Sequence, residues 1–399
     1  MSHHSRLQRL ADQLNAHQSL WRANPFRDLT PAWIQQHPEL AQQVLSLDDA
    51  TVAHLEQHPE QTLARFAEVL PTLDQLAALL AVPDADAEGH AAAPRQGRQF
   101  AHIPGRKWQQ ITAFVGALGQ PKAPVLEWCA GKGHLGRLIS QQFEVAVTSL
   151  EWDQTLCQEG EQLALRAVLP QQFVCADALT PEAANAVKKT QHAVALHACG
   201  DLHGTLIRHA IERGTQGLTI SPCCYHLTAQ SHYQPFSRQG QACQLALSRD
   251  ELRIAVQETA TAPARVQRLR ATEMAFRLGY QALIERLAPE RRDEGVPSCP
   301  KALLGEGFEG FCRWAAERKA VTLGGDVDWS HWQREGEQRW YRLRRLSLVR
   351  AVFARPLELF LVLDRVCFLD EQGYHVTLSR FTDRAVTPRN LLIQAELRR

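Results

Sequence analysis

The sequence has no uncharged apolar run of the roughly 18 residues that a membrane-spanning helix needs. Its longest apolar stretch, Leu357 to Leu369, is interrupted by Glu358, Asp364 and Arg365. A secretory signal is also missing: Met1-Ser2-His3-His4-Ser5-Arg6 leads into a polar segment without an apolar core, so a cytoplasmic location is expected. The 10 Cys are scattered through 399 residues without small-scaffold spacing, which argues for free thiols in a reducing compartment. Among His197, Cys199, Cys223, Cys224 and His226 no pair has C-x₂-C or H-x₃-H spacing, so no metal site is expected. There is no internal repeat.

Net charge is nearly absent too, with 44 Lys plus Arg against 43 Asp plus Glu. The balance conceals two unlike regions. Residues 1–90 hold 5 Arg, no Lys and 12 acids, net −7, which leaves +8 for the remainder. A uniformly basic nucleic-acid-coating protein is excluded; a local basic surface is not.

The acidic region reads as helices over residues 5–20, 31–47 and 48–80, rich in Leu, Ala, Gln and Glu at three-to-four spacing. Periodicity stops after Val82, and a linker is expected over 91–99. Beyond it, short apolar runs at Pro124–Trp128, Val145–Leu150, Gln172–Cys175, His192–Leu196 and Gly217–Ile220 alternate with helical stretches. Five such units predict a doubly wound α/β sheet. A helical 346–369 followed by the strand-like 374–381 and 390–395 predicts a closing antiparallel hairpin. The expected divisions are a helical region 1–90, a core 100–247, a helical insertion 248–340 and a return to the core over 341–399.

Gly131, Gly133 and Gly136 form G-x-G-x-x-G between the first strand and a helix, a loop over which a ligand can approach the backbone closely. Glu151 follows Gly131 by 20 residues, where a ribose-binding acid belongs. The loop alone fits a nicotinamide dinucleotide, S-adenosylmethionine or no ligand. Glu127 favours S-adenosylmethionine, because a carboxylate ahead of the glycines suits an ammonium and repels a pyrophosphate. Asp177, after the third strand, is placed to accept from an adenine amino group.

His197-Ala198-Cys199-Gly200-Asp201-Leu202, Ser221-Pro222-Cys223-Cys224-Tyr225-His226-Leu227 and the terminal Pro388-Arg389-Asn390 resemble the signature blocks of one methyltransferase-domain family. That family includes eukaryotic methyltransferase-like proteins, one of them named for an rRNA adenine dimethylase domain, and is distantly related to a tRNA ribose 2′-O-methyltransferase. The resemblance covers about residues 100–230 and 340–399. It implies a Rossmann-like class I methyltransferase, an α/β fold with a mostly parallel seven-stranded sheet, that uses S-adenosyl-L-methionine. It also brings Lys107, in Arg106-Lys107-Trp108, into the cofactor region with His197. One departure is Cys129, where the family carries the first glycine of its loop; a Cβ there can crowd the methionine end.

Ligands bind beyond the carboxyl ends of strands in open α/β sheets, so Asp201, Ser221, Tyr225 and His226 are the candidate catalytic residues. Ser221-Pro222-Cys223-Cys224-Tyr225 stands where amino-methylating enzymes carry an acceptor, Pro-Pro and a stacking ring. His226 or Asp201 would instead serve hydroxyl methylation as a base, and a thiolate after Pro222 would serve ring-carbon methylation. Cys223 and Cys224 equally suit simple packing.

Between Arg334 and Arg355 seven Arg meet two Glu, with Trp329, Trp332, Trp340 and Tyr341 interleaved or adjacent. Such a segment suits contact with RNA, tRNA or rRNA; it also suits a solvated helix face over packed tryptophans. The expected function is therefore methylation of RNA at an amine or hydroxyl. A protein or small-molecule acceptor, and a non-catalytic S-adenosylmethionine-binding module, are the alternatives. Nothing in the sequence indicates an oligomeric state.

Overall fold

The computed structural model describes residues 1–85, 100, 103–257, 264–291 and 294–398; the expected linker at 91–99 lies outside them. Two compact units are present, one of residues 1–17, 74–258 and 353–399, the other of 18–73 and 259–352.

The first unit is built on seven strands: β1 Val125–Trp128, β2 Val147–Glu151, β3 Gln171–Cys175, β4 His192–Cys199, β5 Gly217–Cys223, β6 Tyr374–Arg380 and β7 Leu391–Leu397. Their order is β3-β2-β1-β4-β5-β7-β6. The first five run parallel, and β7 pairs antiparallel with β5 and β6. The sheet is thus the predicted α/β arrangement closed by a hairpin. β1 and β5 are buried at every residue, as expected of strands covered on both faces, whereas the edge strand β6 buries Tyr374, Val376 and Leu378 and exposes His375 and Thr377. Between β1 and the helix His134–Phe143 lies a core of Ile111, Phe114, Val115, Leu135, Leu138 and Ile139.

The longest apolar stretch, Leu357 to Leu369, lies in the helix Ala354–Glu371, buried on nearly every side. Its charged residues are satisfied inside the protein. Asp364 accepts from the Tyr233 hydroxyl (2.6 Å), the Phe236 and Ser237 amides (2.7 and 3.0 Å) and the Ser237 hydroxyl. Arg365 donates to His203 Nε2 (2.8 Å), the Tyr233 hydroxyl and the Leu361 carbonyl. No helix among the described residues is long and apolar enough to cross a membrane.

The predicted long helices are subdivided. Residues 31–47 give Trp33–Gln36 and Pro38–Leu45, and 48–80 give Asp49–Gln57, Pro59–Ala67 and Thr72–Leu79. Pro38 and Pro59 each open a new helix, since proline lacks the N–H needed to continue one. Likewise 346–369 belongs to two helices, Trp329–Ala351 and Ala354–Glu371, with Pro356 in the first turn of the second.

In the second unit the helices Ala264–Leu287 and Trp329–Ala351 meet through glycine: a Cβ on Gly336 would lie 2.3 Å from the Ala275 carbonyl. Trp329 and Trp332 pack against a core that includes Phe276, Phe308 and Phe311.

Candidate functional site

The carboxyl ends of β1 and β4 and the helix Gly105–Leu118 border a narrow cavity of about 140 Å³. It is lined by Lys107, Glu127, Cys129, Gly131, His134 and His197, among others. A larger cavity of about 420 Å³ lies in the second unit, beside Arg339 and its partners Glu285 and Glu335. It holds none of the predicted site residues.

Three alternate positions, Cys129 (φ 58°), Gly131 (φ 58°) and Gly133 (φ 64°), are left-handed and turn the chain from β1 into the helix His134–Phe143. Cys129 adopts the conformation that favours glycine despite its Cβ, a cost of the order of 1 kcal/mol held in place by its surroundings. Glu151 secures the loop, accepting from the Gly131 amide at 2.8 Å and the Asp153 amide at 3.1 Å. Beneath it the buried Arg137 donates to the Lys132 carbonyl at 2.7 Å and meets His134 Nδ1. His134 is pulled down to about 4 by burial and by Arg137, Lys107 and Lys132, so it is neutral at pH 7.

Glu127 is 3% exposed at the end of β1. Its Oε2 accepts from the Ser149 hydroxyl at 2.6 Å and sits 3.5 Å from Gln171 Nε2, while the Gly136 amide also faces the carboxylate. Burial outweighs these contacts and pushes Glu127 up to about 7. A Cβ on Gly136 would come within 2.4 Å of the same Oε2, so the third glycine of the motif admits the carboxylate. The pocket therefore contains a buried acid short of positive charge, the complement of an ammonium ligand.

Lys107 is exposed in the first turn of its helix, and Gln110, one turn on, bonds His197 Nε2 at 2.7 Å. His197 stands at φ 69° where the β4–β5 register slips between Leu196 and Cys199. Such bulges re-aim side chains at strand ends. Behind it His203 donates from Nδ1 to the Ala198 carbonyl at 2.9 Å while its Nε2 receives Arg365. Burial first, and then Arg365, hold His203 well below its usual value, consistent with that neutral tautomer.

On the far flank Asp177 is exposed after β3, its carboxylate accepting from the Leu179 amide at 2.9 Å. Trp152, at the end of β2, is 74% exposed.

The predicted catalytic residues separate into two groups. Ser221 is buried and its hydroxyl donates to the Arg389 carbonyl. Asp201 accepts from the Ala229 amide at 2.9 Å. Tyr225, expected as a ring at the mouth, is instead 3% exposed, packed by His203 and Arg365, with its hydroxyl donating to the Pro222 carbonyl. These three fasten the segment after β5. Only His226 keeps a buried nitrogen, Nδ1, without a bonding partner, and burial and Arg253 pull this imidazole down. Between them Cys224 turns through φ 48°, and the sulfurs of Cys199, Cys223 and Cys224 lie within 4.8 Å of one another. Hydrogen bonds from Cys199 and Cys223 favour the Cys224 thiolate and correspondingly push the Cys223 thiol up.

Residues 106–231 match the family model described as a methyltransferase domain. This segment is similar to a methyltransferase domain. Several solved structures are similar to the chain. A geranyl diphosphate methyltransferase, solved with its diphosphate and sinefungin, has 15% identity over 35% of this chain and 53% of its own, with a TM-score of 0.25. The chain thus spans about half of that protein's length. The cyclopropane synthase MmaA2 from Mycobacterium tuberculosis has 13% identity over 77% and 88%, with a TM-score of 0.26. The 23S rRNA methyltransferase ErmE has 18% identity over 60% and 97%, with a TM-score of 0.24.

The residues around the cavity that sequence reasoning missed are the supporting ones: Gln110, Arg137, Ser149, Gln171 and His203. None belongs to a motif. Apart from Arg137, which bonds within its own loop and helix, each has a partner at least 22 residues away in sequence.

The Arg-rich segment of the second unit is largely committed internally. Arg342 donates to the Leu29 carbonyl, Arg344 pairs with Glu56 at 2.7 Å, the fully buried Arg345 holds the Leu47 carbonyl and Asp49, and Arg350 reaches the Trp21 carbonyl. Arg339 pairs with Glu285 and Glu335. Arg334 is exposed.

Proposed function

We propose that this domain methylates RNA, a tRNA or rRNA, at an amine or a ribose hydroxyl. The observation that carries the reading is the charge around the acceptor end: Lys107 and Arg389 act on His197, while Arg253 and Arg389 act on His226. Arg253 is exposed and Arg389 half-buried, anchored to the Val256 carbonyl. A cationic rim beside neutral imidazoles suits an acceptor that brings phosphates with it. This rim, rather than the internally bonded arginines from Arg339 to Arg350, is where RNA contact is expected.

Glu127 would hold the ammonium of the methionine moiety, the loop from Cys129 to Gly133 would lie against its body, and Glu151 and Asp177 would face the nucleoside. S-adenosylmethionine supplies a methyl group already activated on a sulfonium. The chain's own task is then to position the acceptor and take one proton from its O–H or N–H. His226, neutral and with Nδ1 unpartnered, is suited to receive that proton.

The test is incubation of the purified protein with labelled S-adenosylmethionine and fractionated cellular RNA, protein and metabolites. Label in RNA is the expected result. Label confined to protein or metabolites would overturn the RNA reading, and cofactor binding without transfer would favour a non-catalytic module.

A further inference from the structure

The ends of β4 and β5 bring together three thiols that no spacing rule connects. Cys199 and Cys223 are register partners on adjacent parallel strands, with their sulfurs 3.5 Å apart. Cys224 follows directly, and its left-handed backbone keeps its sulfur in the same cluster, all three within 4.8 Å. We propose that Cys199, Cys223 and Cys224 form a three-thiolate site for Zn²⁺ beside the cofactor pocket.

Zinc–thiolate bonds of about 2.3 Å in a tetrahedron put sulfur atoms slightly under 4 Å apart. The observed cluster spans that separation, so coordination requires little movement. The scaffold around it is tied: the Gly200 amide donates to the Cys223 carbonyl, the Leu227 amide to the Cys224 carbonyl and the Asp201 amide to the Leu227 carbonyl. Gly200 is itself at φ 56°, and a Cβ there would lie 1.9 Å from the Leu227 carbonyl oxygen.

Charge agrees with the assignment. Three thiolates and one Zn²⁺ carry a net −1, and Arg389 acts on both Cys199 and Cys224. Cys199 and Cys224 are half-buried whereas Cys223 is buried, which leaves an approach from one side. The fourth ligand position falls to solvent, as in zinc sites with three protein ligands. Linear spacing cannot find such a site, because its ligands come from two strand ends 24 residues apart. The assignment does not depend on the identity of the methyl acceptor.

The test uses the full chain, purified with zinc and then freed of excess. Plasma mass spectrometry should find one equivalent of zinc. Replacement by Co²⁺ should give the thiolate-to-cobalt charge-transfer band and the intense visible bands of a tetrahedral site. Alkylation mapped by peptide mass should spare Cys199, Cys223 and Cys224 until a chelator is added, while the exposed Cys175 reacts throughout. Cys199→Ser and Cys224→Ser should lose the cobalt spectrum with an unchanged circular dichroism spectrum, and Cys175→Ser should keep it. Folded wild-type protein without bound zinc or a cobalt spectrum would overturn the proposal. So would a cobalt spectrum that survives in both serine variants, or a Cys199–Cys223 disulfide in their place. Because the wild-type measurements decide by themselves, a serine variant that fails to fold does not rescue the idea.

Discussion

The Ser149 hydroxyl donates to Glu127 Oε2 at 2.6 Å, across neighbouring strands β2 and β1, inside the sheet. This bond aims the carboxylate and partly offsets the burial that raises it. Ser149→Ala is therefore expected to weaken S-adenosylmethionine binding about tenfold, the order implied by a hydrogen bond to a charged group. It should also move Glu127 further up. Calorimetry on folded variant protein measures both; unchanged affinity would show that the bond does not position the acid.

Gly136→Ala sets two effects against each other. Alanine favours a helix by about 1 kcal/mol over glycine, yet its Cβ would fall on Glu127 Oε2. The clash concerns a buried carboxylate in a packed interior, so it should dominate. Cofactor affinity is expected to fall and thermal stability not to rise, as calorimetry and thermal unfolding would report.

Arg253→Glu tests the acceptor rim. Arg253 is exposed, and its pairing with Asp250 is a surface contact of little energetic weight. The substitution should raise KM for RNA severalfold, flatten the salt dependence of RNA binding, and leave S-adenosylmethionine affinity unchanged. Equal RNA binding at low and high salt by both proteins would place the RNA elsewhere.

His203 should confer acid sensitivity. It faces the Ala198 carbonyl, Tyr225, Arg365 and Arg208, with Cys224 also acting on it, and is held neutral in the folded protein. Below about pH 6.5 the unfolded chain binds a proton that folded His203 refuses, so stability falls as pH falls, by up to ~1.4 kcal/mol per pH unit. Glu127 acts in the opposite sense, because its raised value gives the folded state the extra proton between 4.5 and about 7. The comparison that isolates His203 is urea unfolding of wild type and His203→Gln at pH 7 and 5. The variant should lose less stability on acidification; an equal loss would contradict the account.

The sheet was legible in the sequence because parallel strands are short continuous apolar runs, and each of the five expected runs overlaps an observed strand. The hairpin was legible because β6 alternates. Helix limits in the acidic region were less so: Pro38 and Pro59 divide them, and the composition on either side is the same. Glu127, Gly131 and Gly136 are brought together by a single loop and the helix that follows it, a grouping visible in the sequence. The contacts of Ser221, Asp201 and Tyr225 were not legible, since Arg389, Ala229 and Arg365 reach them through the fold. In the Arg cluster at 339–350, Leu29, Leu47, Asp49 and Glu56 occupy donors of Arg342, Arg344 and Arg345, partners that the sequence does not reveal.

Glu127 is the buried acid proposed to receive the cofactor's ammonium, with Ser149, Gln171, the Gly136 amide, Arg137 and Lys107 around it. Free Glu127 titrates near 7, so binding a cation against it must expel a proton at and below that pH. The decisive measurement is titration of S-adenosylmethionine by calorimetry from pH 5.5 to 8.5 in buffers of different ionisation enthalpy. Proton release below about pH 7, affinity rising with pH and then levelling, and loss of both affinity and pH dependence in Glu127→Gln are expected. Wild-type binding without proton release at any pH, or equally tight binding by Glu127→Gln, would contradict the claim.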